Sequence, residues 1–381
     1  MKISHLTYTQ EEAHIKRSVT VDIFPSALFY TIDRAYESFV EKETYDAFVI
    51  ALIPFMLENS EDLYVDGTVD EVLLTHLNTQ FLPQLAVISK CKKTPQISAK
   101  HTHRSKSKNS QIGTGFSCGV DSFTTLYDFI QSRISVRYVT FLDAGSHGKY
   151  GKEHTKQIKE FRRQNAAKAA QGLDMEMICI SSNISSFVTS SFESSHSLVN
   201  LSCVYHLSNL YSDYYYSSAF SEKQSTLKGG DTSNWDSLLL PYISSSYLTI
   251  KSTALDKTRL QRTAFISEEN TVQNYLDVCT NSLLAKERGY QNCSSCHKCA
   301  KTMTSLALLD RLSQFGNVFD LNRYVATRDM YISTYLLQKK LNPIDQEILD
   351  TLKEKKEVVL KHYFSAFIFR LKKNVKKILK K

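Results

Sequence analysis

The sequence has no run of about 18 apolar residues, so it gives no reason to expect a membrane-spanning helix. Residues 1–5 lead into polar residues rather than into the apolar core of a secretory signal. Long repeats and low-complexity blocks are also missing. These absences argue against a secreted or membrane-spanning protein, and we expect a cytoplasmic one.

Composition indicates a globular protein with a nearly neutral body. The 381 residues are 42% hydrophobic and 23% charged, which is enough to bury a core over about two to three domains. The net charge is +8, but residues 364–381 hold seven of these positive charges and no acid. General basicity is therefore no argument for nucleic-acid binding, and only the tail could serve such a role.

A strand that ends in a tight turn and opens a helix is predicted over residues 113–126. Gly, Ser and Asp crowd the turn, and Val120, Phe123 and Leu126 then recur at helical spacing. Such a turn directs backbone N–H groups at one point, and the helix N-terminus adds partial positive charge. We expect an anion site here, with an ordinary strand-to-helix turn as the alternative.

Residues 117–122, Ser-Cys-Gly-Val-Asp-Ser, resemble the PP-loop Ser-Gly-Gly-X-Asp-Ser of the N-type ATP pyrophosphatases. Cys118 stands where that motif has its first glycine. The superfamily cleaves ATP between the α and β phosphates and leaves an adenylated substrate. The resemblance implies that ATP is bound by Ser117, Cys118, Gly119, Val120, Asp121 and Ser122.

Strands and helices alternate after the turn, with strands predicted at 136–143, 175–180, 214–220 and 248–253 and a helix at 153–171. Alternation of this kind predicts a parallel sheet, which binds ligands beyond the carboxyl ends of its strands. Those ends supply Asp143, Ser182 and Asn183 besides Ser117. The resemblance places Leu142 and Asp143 beside the adenine and ribose.

Two further stretches hold charged residues that suit a phosphate site. In the turn over residues 228–236, Asp231 or Asp236 can hold Mg²⁺ through carboxylate oxygens, and a surface turn is equally favoured. The helix after the last strand carries Lys257, Arg259 and Arg262. One or more of these can contact phosphate, or all can be solvated helix charges.

Four cysteines have the spacing of a metal site. Cys293, Cys296 and Cys299 follow one another at three-residue steps, and Cys279 lies fourteen residues before the first of them. Four thiolates form the closed tetrahedral set of a structural zinc site, which braces a fold and leaves no open position for catalysis. His297 in place of Cys279, or an iron–sulfur cluster, are the alternatives.

The two motifs together resemble the cyano-deazaguanine synthase (QueC-like) branch of the superfamily over about residues 110–305. The spacing between Cys279 and Cys293 is longer than we expect in the synthase itself, and the N-terminal region lies outside the resemblance. Both differences indicate a divergent member with another substrate. We predict an α/β protein with a HUP-like parallel sheet, divided as follows: an N-terminal α+β region (1–97), a basic linker (98–110), a PP-loop ATP-binding domain (111–270), a zinc-binding subdomain and helix (271–330), and a C-terminal helical region with a basic tail (331–381).

The tail over residues 353–381 is predicted to be helical, with an apolar stripe and lysines on the other face. A basic amphipathic helix can lie on an anionic membrane or bind nucleic acid. We favour packing on the body or on a protein partner. The N-terminal region contains no recognisable catalytic or binding motif, and we expect it to be a packing or substrate-covering domain, with binding of a protein partner as the alternative.

The resemblance implies ATP-dependent adenylation of a small-molecule carboxylate, followed by attack of a nitrogen nucleophile. ATP, Mg²⁺ and Zn²⁺ are the implied cofactors, and the implied catalytic residues are Asp121, Ser122 and Asp231. Asp121 would place Mg²⁺ or fix the loop, and Arg262 would contact the nucleotide. The alternatives are thiolation of tRNA or of a small molecule, and a nucleotide-binding subunit without turnover in a multi-protein defence or biosynthetic system.

Overall fold

The structure is a computed structural model that describes residues 1–105, 109–338 and 340–378, with side chains described as far as Leu371. Its contacts divide the chain into two units. The first comprises Met1–Ser117 and Thr125–Leu255, and the second comprises Cys118–Thr124 and Asp256–Lys381. None of the described helices combines the length and the apolar character needed to cross a membrane.

Among the described residues, a single ten-stranded sheet forms the first unit, in the order β10-β9-β6-β7-β8-β3-β2-β1-β4-β5. Its strands are β1 (Lys2–Gln10), β2 (His14–Val21), β3 (Leu28–Asp33), β4 (Leu63–Asp70), β5 (Ile97–His103), β6 (Gln111–Gly115), β7 (Tyr138–Asp143), β8 (Glu176–Ser182), β9 (Tyr211–Ser217) and β10 (Thr249–Thr253).

The five strands from β6 to β10 are all parallel, which confirms the predicted α/β class with a mostly parallel sheet. In chain order they read 3-2-1-4-5 across the sheet, with β6 at the centre. The chain leaves β6 toward β7 on one side and later returns to β9 on the other. In such doubly wound sheets, this reversal creates the crevice where ligands bind.

The N-terminal strands extend the same sheet. β3 pairs antiparallel with β8, with Tyr30 opposite Ser182, and β4 and β5 form the far end. The sequence predicted a loop over residues 98–110, but Ile97–His103 is β5, which pairs in parallel with β4. β5 forms because the edge of β4 that does not pair with β1 offers backbone hydrogen-bond partners. A sequence pattern does not show that such an edge is available. Residues 106–108 of that stretch lie outside the described residues.

The helices of the first unit cover the sheet. They are α1 (Asp46–Asn59), α2 (Glu71–His76), α3 (Leu82–Ile88), α4 (Val120–Gln131, its first turn grouped with the second unit), α5 (Glu153–Gly172), α6 (His196–Tyr205) and α7 (Asp236–Leu239). A π-helical turn lies at Leu77–Phe81, and 3-10 turns lie at Arg34–Phe39, Ile184–Ser186, Phe192–Ser194, Glu222–Gln224, Thr232–Asn234 and Leu240–Ile243.

Helix α1 packs on α6 and is buried from Asp46 to Met56. A helix that is apolar on all sides belongs inside a core, which explains why its sequence lacks an amphipathic pattern. The helix continues past Pro54 to Asn59, so the proline does not end it.

A buried polar cluster lies at the start of α1. Asp46 is fully buried, and its carboxylate accepts hydrogen bonds from the Tyr247 hydroxyl and, at 2.8 Å, from the Asp70 N–H. Burial raises the pKa of Asp46 to about 7 despite these two donors. The folded protein therefore keeps a proton on Asp46 at pH values where the unfolded chain has released it.

We expect this proton to make stability fall as pH rises from about 4 to about 7, by up to about 4 kcal/mol, because the unfolded state binds fewer protons than the folded state in that window. In Asp46→Asn the titrating group is gone, so this part of the slope should disappear. Urea unfolding of both proteins at pH 5 and pH 8 measures the difference. If the free energy of unfolding changed equally between pH 5 and pH 8 in the parent protein and in Asp46→Asn, Asp46 would be ionised at both pH values.

The second unit is helical over its described residues from 256 onward. Its helices are α8 (Arg259–Ile266), α9 (Asn270–Tyr275), α10 (Ser282–Glu287), α11 (His297–Leu308), α12 (Leu321–Leu337), α13 (Pro343–Glu354) and α14 (Leu360–Ile378), with a 3-10 turn at Leu312–Phe315. α11 is the core helix and contacts α8, α12 and α13.

The predicted continuous helix over residues 353–381 is two helices. α13 ends at Glu354, and α14 begins at Leu360. Lys356 between them has φ = 59°, a left-handed conformation that ends a helix. The last three residues, 379–381, lie outside the described part of the chain.

Candidate functional site

The predicted strand, turn and helix are present at residues 111–131. β6 runs from Gln111 to Gly115, and α4 begins at Val120. Gly113 allows the buried Tyr211 ring to lie against β6, because a Cβ at Gly113 would come within 2.3 Å of that ring. The turn over residues 116–119 lies directly after β6, the central one of the five parallel strands.

Cys118 lies in the turn with φ = 58°, where glycine is the favoured residue. Its side chain is fully buried, and its carbonyl accepts a hydrogen bond from the Asp277 N–H at 2.8 Å. The thiol therefore does not occupy the exposed side of the turn. The backbone here takes a glycine-like conformation although the residue is not glycine.

Hydroxyl groups lie on both sides of this turn. Ser117 is exposed, whereas Ser122 is buried and its hydroxyl donates to the Gly119 carbonyl at 3.1 Å. The first helical hydrogen bond of α4 joins the Phe123 N–H to the same carbonyl at 3.0 Å. The Gly119 carbonyl thus accepts both a side-chain and a backbone donor from the first turn of α4.

Asp121 binds two arginines of α8 in the second unit. One carboxylate oxygen lies 2.8 Å from Arg262 Nη1, and the other lies 2.5 Å from Arg259 Nη1. Burial would raise the pKa of Asp121, but the two guanidiniums outweigh this effect and hold the pKa below its usual value. The carboxylate is therefore ionised at neutral pH and positions both arginines.

The two arginines differ in exposure. The Arg262 side chain is 0% exposed, and its Nε donates to the Lys257 carbonyl at 3.1 Å. The Arg259 side chain is 14% exposed. Thr258 caps the start of α8 and donates to Glu347, which fixes the position of this helix. Arg259 is thus the member of the pair that can reach a ligand, and Arg262 is the buried support.

The end of β7 carries a charged cluster in the first unit. Asp143 Oδ1 lies 3.0 Å from His147 Nδ1, and Asp143 Oδ2 lies 3.2 Å from Lys159 Nζ. Burial would raise the pKa of Asp143, but these two partners hold it below its usual value. Lys159 also donates to the Ser181 hydroxyl at 2.7 Å, and Leu142 is half-buried beside Asp143.

The residues that end β8 have structural roles. The Ser182 hydroxyl donates to the Phe29 carbonyl at 2.8 Å. The Asn183 amide accepts from the Phe29 N–H at 2.8 Å and donates to the Ala27 carbonyl at 2.9 Å. Both side chains therefore join β8 to the segment that leads into β3.

Asp231 lies beside a histidine that the sequence did not single out. Its Oδ1 is 3.3 Å from His196 Nε2 and accepts from the Ser233 N–H at 2.9 Å. Burial would raise the pKa of Asp231, but these contacts hold it below its usual value. His196 Nδ1 lies 2.9 Å from the hydroxyl of the half-buried Tyr216 near the end of β9. Asp231, His196 and Tyr216 thus form a hydrogen-bonded chain, whereas Asp236 is buried.

An aromatic groove of about 620 Å³ lies beyond β8 in the first unit. Phe24 and Phe187 stack within it with ring centroids 4.2 Å apart. Its lining comprises Ile23, Phe24, Pro25, Ser26, Phe29, Phe55, Tyr150, Asn183, Ser186 and Phe187. Asn183 is the one predicted strand-end residue that it includes, so the groove does not coincide with the predicted catalytic residues.

The four cysteines meet in the second unit, where their sulfur atoms all lie within 4.8 Å of one another. Asn292 brings the two segments together, because its buried amide accepts from the Val278 N–H at 2.9 Å and donates to the Leu276 carbonyl at 2.7 Å. The Cys296 sulfur accepts the Cys299 N–H at 3.5 Å and caps the start of α11.

This cluster fits one tetrahedral metal ion such as zinc. Zn–S bonds of about 2.3 Å place the four sulfurs of a tetrahedral site roughly 3.8 Å apart, and the Cys293 and Cys299 sulfurs are 3.9 Å apart. Backbone N–H groups of Asn281 and Cys293 donate to the Cys279 sulfur at 3.2 and 3.3 Å, as suits a thiolate. The ligands of an iron–sulfur cluster bind different irons and need wider spacing.

His297 does not belong to this set. Its Nε2 lies 3.6 Å from the Asp345 carboxylate, which also pairs with Lys301 at 2.7 Å. The prediction that the four ligands are cysteines and that His297 is outside them agrees with this geometry.

The site residues thus fall into five local groups: the turn that contains Ser117 to Ser122, Asp121 with Arg259 and Arg262, the Asp143 cluster at the end of β7, the chain of Asp231, His196 and Tyr216, and the cysteine cluster. His147, Lys159 and His196 were missed because nothing in their local sequence marks them. Comparison of the chain with protein-family models, with curated proteins and with solved structures finds no match in any of the three.

Proposed function

We propose that the chain is an ATP-dependent enzyme that forms AMP and pyrophosphate while joining a carboxylate to a nitrogen nucleophile. The observation that carries the proposal is the position of the Ser-Cys-Gly-Val-Asp-Ser turn, which follows the central parallel strand β6 and opens α4. Ligands of doubly wound sheets bind at this type of turn. The sequence of the turn resembles the PP-loop of the N-type ATP pyrophosphatases.

In this proposal the turn holds the β and γ phosphates of ATP. Backbone N–H groups at the start of α4 and the exposed Ser117 hydroxyl donate to phosphate oxygens. Arg259 adds a partly exposed positive charge that Asp121 holds in place. Ser122 supports the turn through its bond to the Gly119 carbonyl rather than by contacting phosphate.

Asp121 acts as a positioning residue in this scheme, because both of its carboxylate oxygens face guanidinium groups. Asp231 is partly exposed and remains the proposed ligand for Mg²⁺, the cation that neutralises charge on the phosphates when bound. Leu142 and Asp143 remain proposed contacts of the nucleoside part. The Cys279, Cys293, Cys296 and Cys299 set would hold zinc as a structural ion.

The proposed reaction has two displacement steps. A carboxylate oxygen of the substrate attacks the α-phosphorus of ATP, the bond to the bridging oxygen breaks, and pyrophosphate leaves with the electron pair. A nitrogen nucleophile then attacks the carbonyl carbon of the acyl adenylate, loses a proton, and displaces AMP. Positioning and charge neutralisation supply most of the rate in both steps.

Removal of the Ser117 hydroxyl tests the proposal. We expect Ser117→Ala to bind ATP about tenfold more weakly, because one hydrogen bond to a charged phosphate is lost. ATP binding by calorimetry and pyrophosphate release by a coupled assay are the two readouts. Since Ser117 is exposed, the fold should be unchanged.

The matched control is Ser132→Ala, another exposed serine, which follows the last residue of α4. It should bind ATP as the unaltered protein does. Equal ATP affinity of both variants and the parent would remove the turn from the nucleotide site. Tight ATP binding without pyrophosphate release, over a range of carboxylates and amines, would instead favour a nucleotide-binding subunit, and RNA that copurifies with the protein would favour tRNA thiolation.

A further inference from the structure

Helix α14 carries an exposed apolar stripe, which we name the α14 stripe. It consists of Leu360, Phe364, Phe367 and Leu371, with exposures of 87%, 67%, 59% and 49%. These positions are separated by four, three and four residues, so they follow one face of a helix. Tyr363 lies beside them and is 49% exposed. Large apolar side chains in one contiguous exposed row mark an interaction surface.

The rest of α14 is anchored within the second unit. His362 and Ala366 are buried, and α14 packs on α12. His362 Nε2 lies 2.9 Å from Asp329 Oδ1, and Lys361 Nζ lies 2.5 Å from the other oxygen of the same carboxylate. The stripe is therefore exposed on a helix that is already held in place. The expectation was that the apolar stripe of the tail packs on the body or on a protein partner; these residues do not pack on the body of the second unit, and packing on a protein partner stays a prediction.

The charge of the same helix has a single sign along its second half. From Arg370 to the chain end the sequence contains Lys372, Lys373, Lys376, Lys377, Lys380 and Lys381 and no acid. The backbone of α14 is helical as far as Ile378. An apolar row followed by a run of basic residues is typical of helices that lie in the interface of an anionic membrane.

We propose that α14 docks the protein on the surface of an anionic lipid bilayer. The α14 stripe enters the boundary between headgroups and acyl chains, and the positive charge of the sequence that follows it is attracted to the anionic surface. The helix lies in the plane of the surface and does not span it.

Two features favour lipid over other partners. Exposed phenylalanine and leucine side chains add nothing to the binding of a nucleic-acid backbone, whereas they gain from leaving water in a bilayer. Seven basic residues without an acid match a uniformly negative surface better than the mixed charges of a protein.

Vesicle co-sedimentation of the full chain tests this proposal. We expect binding to phosphatidylcholine vesicles that contain about 30% phosphatidylserine, and at least roughly tenfold weaker binding to phosphatidylcholine alone. Raising the salt to about 0.5 M should weaken binding, because it screens the lysines. Phe364→Asp/Phe367→Asp should reduce binding to the anionic vesicles by roughly tenfold or more.

The matched control is Val325→Asp, an exposed apolar residue of α12 in the same unit. It should bind vesicles as the parent does, and circular dichroism should show that both variants are folded. Equal binding to both vesicle types, unchanged binding of the double variant, or binding of the tail to RNA with none to vesicles would each overturn the proposal. ATP binding is expected to be the same in all of these proteins, so this result is independent of the proposed enzyme activity.

Discussion

Replacing Cys293 by serine is expected to remove a bound metal ion and to unfold much of the second unit. The four sulfurs converge within 4.8 Å, and the thiols come from two segments that Asn292 holds together. In structural sites of this type the free energy of metal binding is also free energy of folding, about 10–16 kcal/mol in small zinc peptides. Loss of one of four ligands should therefore cost several kcal/mol.

The measurements are metal content by mass spectrometry, thermal unfolding, and limited proteolysis. We expect about one zinc per chain in the parent protein and almost none in Cys293→Ser, with new cleavage between residues 256 and 338. A chelator that strips zinc from the parent should give the same cleavage pattern.

Cys91→Ser is the matched control, because the Cys91 thiol lies outside the cluster and is only half-buried. It should keep its metal and lose no more than about 1 kcal/mol of stability. A folded parent without metal, in which all four thiols react freely, would show that the cluster is held by packing alone.

The second large effect is expected for Asp121→Asn. This change leaves Arg262, whose side chain is fully buried, beside an uncharged partner with a single acceptor oxygen. Breaking a buried ion pair on one side costs about 3–5 kcal/mol, because the remaining charge stays out of water without compensation. If Arg259 contacts ATP as proposed, pyrophosphate release should also fall by roughly 100-fold.

Urea unfolding and the pyrophosphate assay separate these two effects. Glu268→Gln is the control, because it breaks an ion pair with Arg311 in the same unit where the Glu268 side chain is 69% exposed. Such a surface pair is worth about 1 kcal/mol or less. Asp121→Asn combined with Arg262→Met should recover part of the lost stability, since the uncompensated buried charge is then absent. If Asp121→Asn and Glu268→Gln lowered the free energy of unfolding by the same small amount, the ion pair of Asp121 with Arg262 would not stabilise the second unit.

Much of the site could be predicted where its signal is local. The strand, turn and helix around Gly119 follow from composition and spacing over a dozen residues, and Cys293, Cys296 and Cys299 lie within one turn and the start of α11. The parallel strands β7 and β8 could be predicted because each contains a short apolar run, and a long helix separates them.

The contacts that give these residues their roles are not local. Asp121 meets Arg259 and Arg262 across 138 and 141 residues. His196 meets Asp231 across 35 residues, and no spacing rule links a histidine at a helix start to an aspartate in a distant turn. The pairing partners of β5 were hidden for the same reason, because its polar sequence resembles a loop until the open side of β4 is known.

That polar sequence has a consequence for the behaviour of the protein in concentrated solution. β5 ends the sheet, so its outer row of peptide groups is a template on which a second copy could add a strand. Three side chains of this strand, Lys100, His101 and His103, are exposed. Bulky, hydrated side chains of this kind discourage such growth. Self-association of the protein through this edge should therefore stay weak even in concentrated solution.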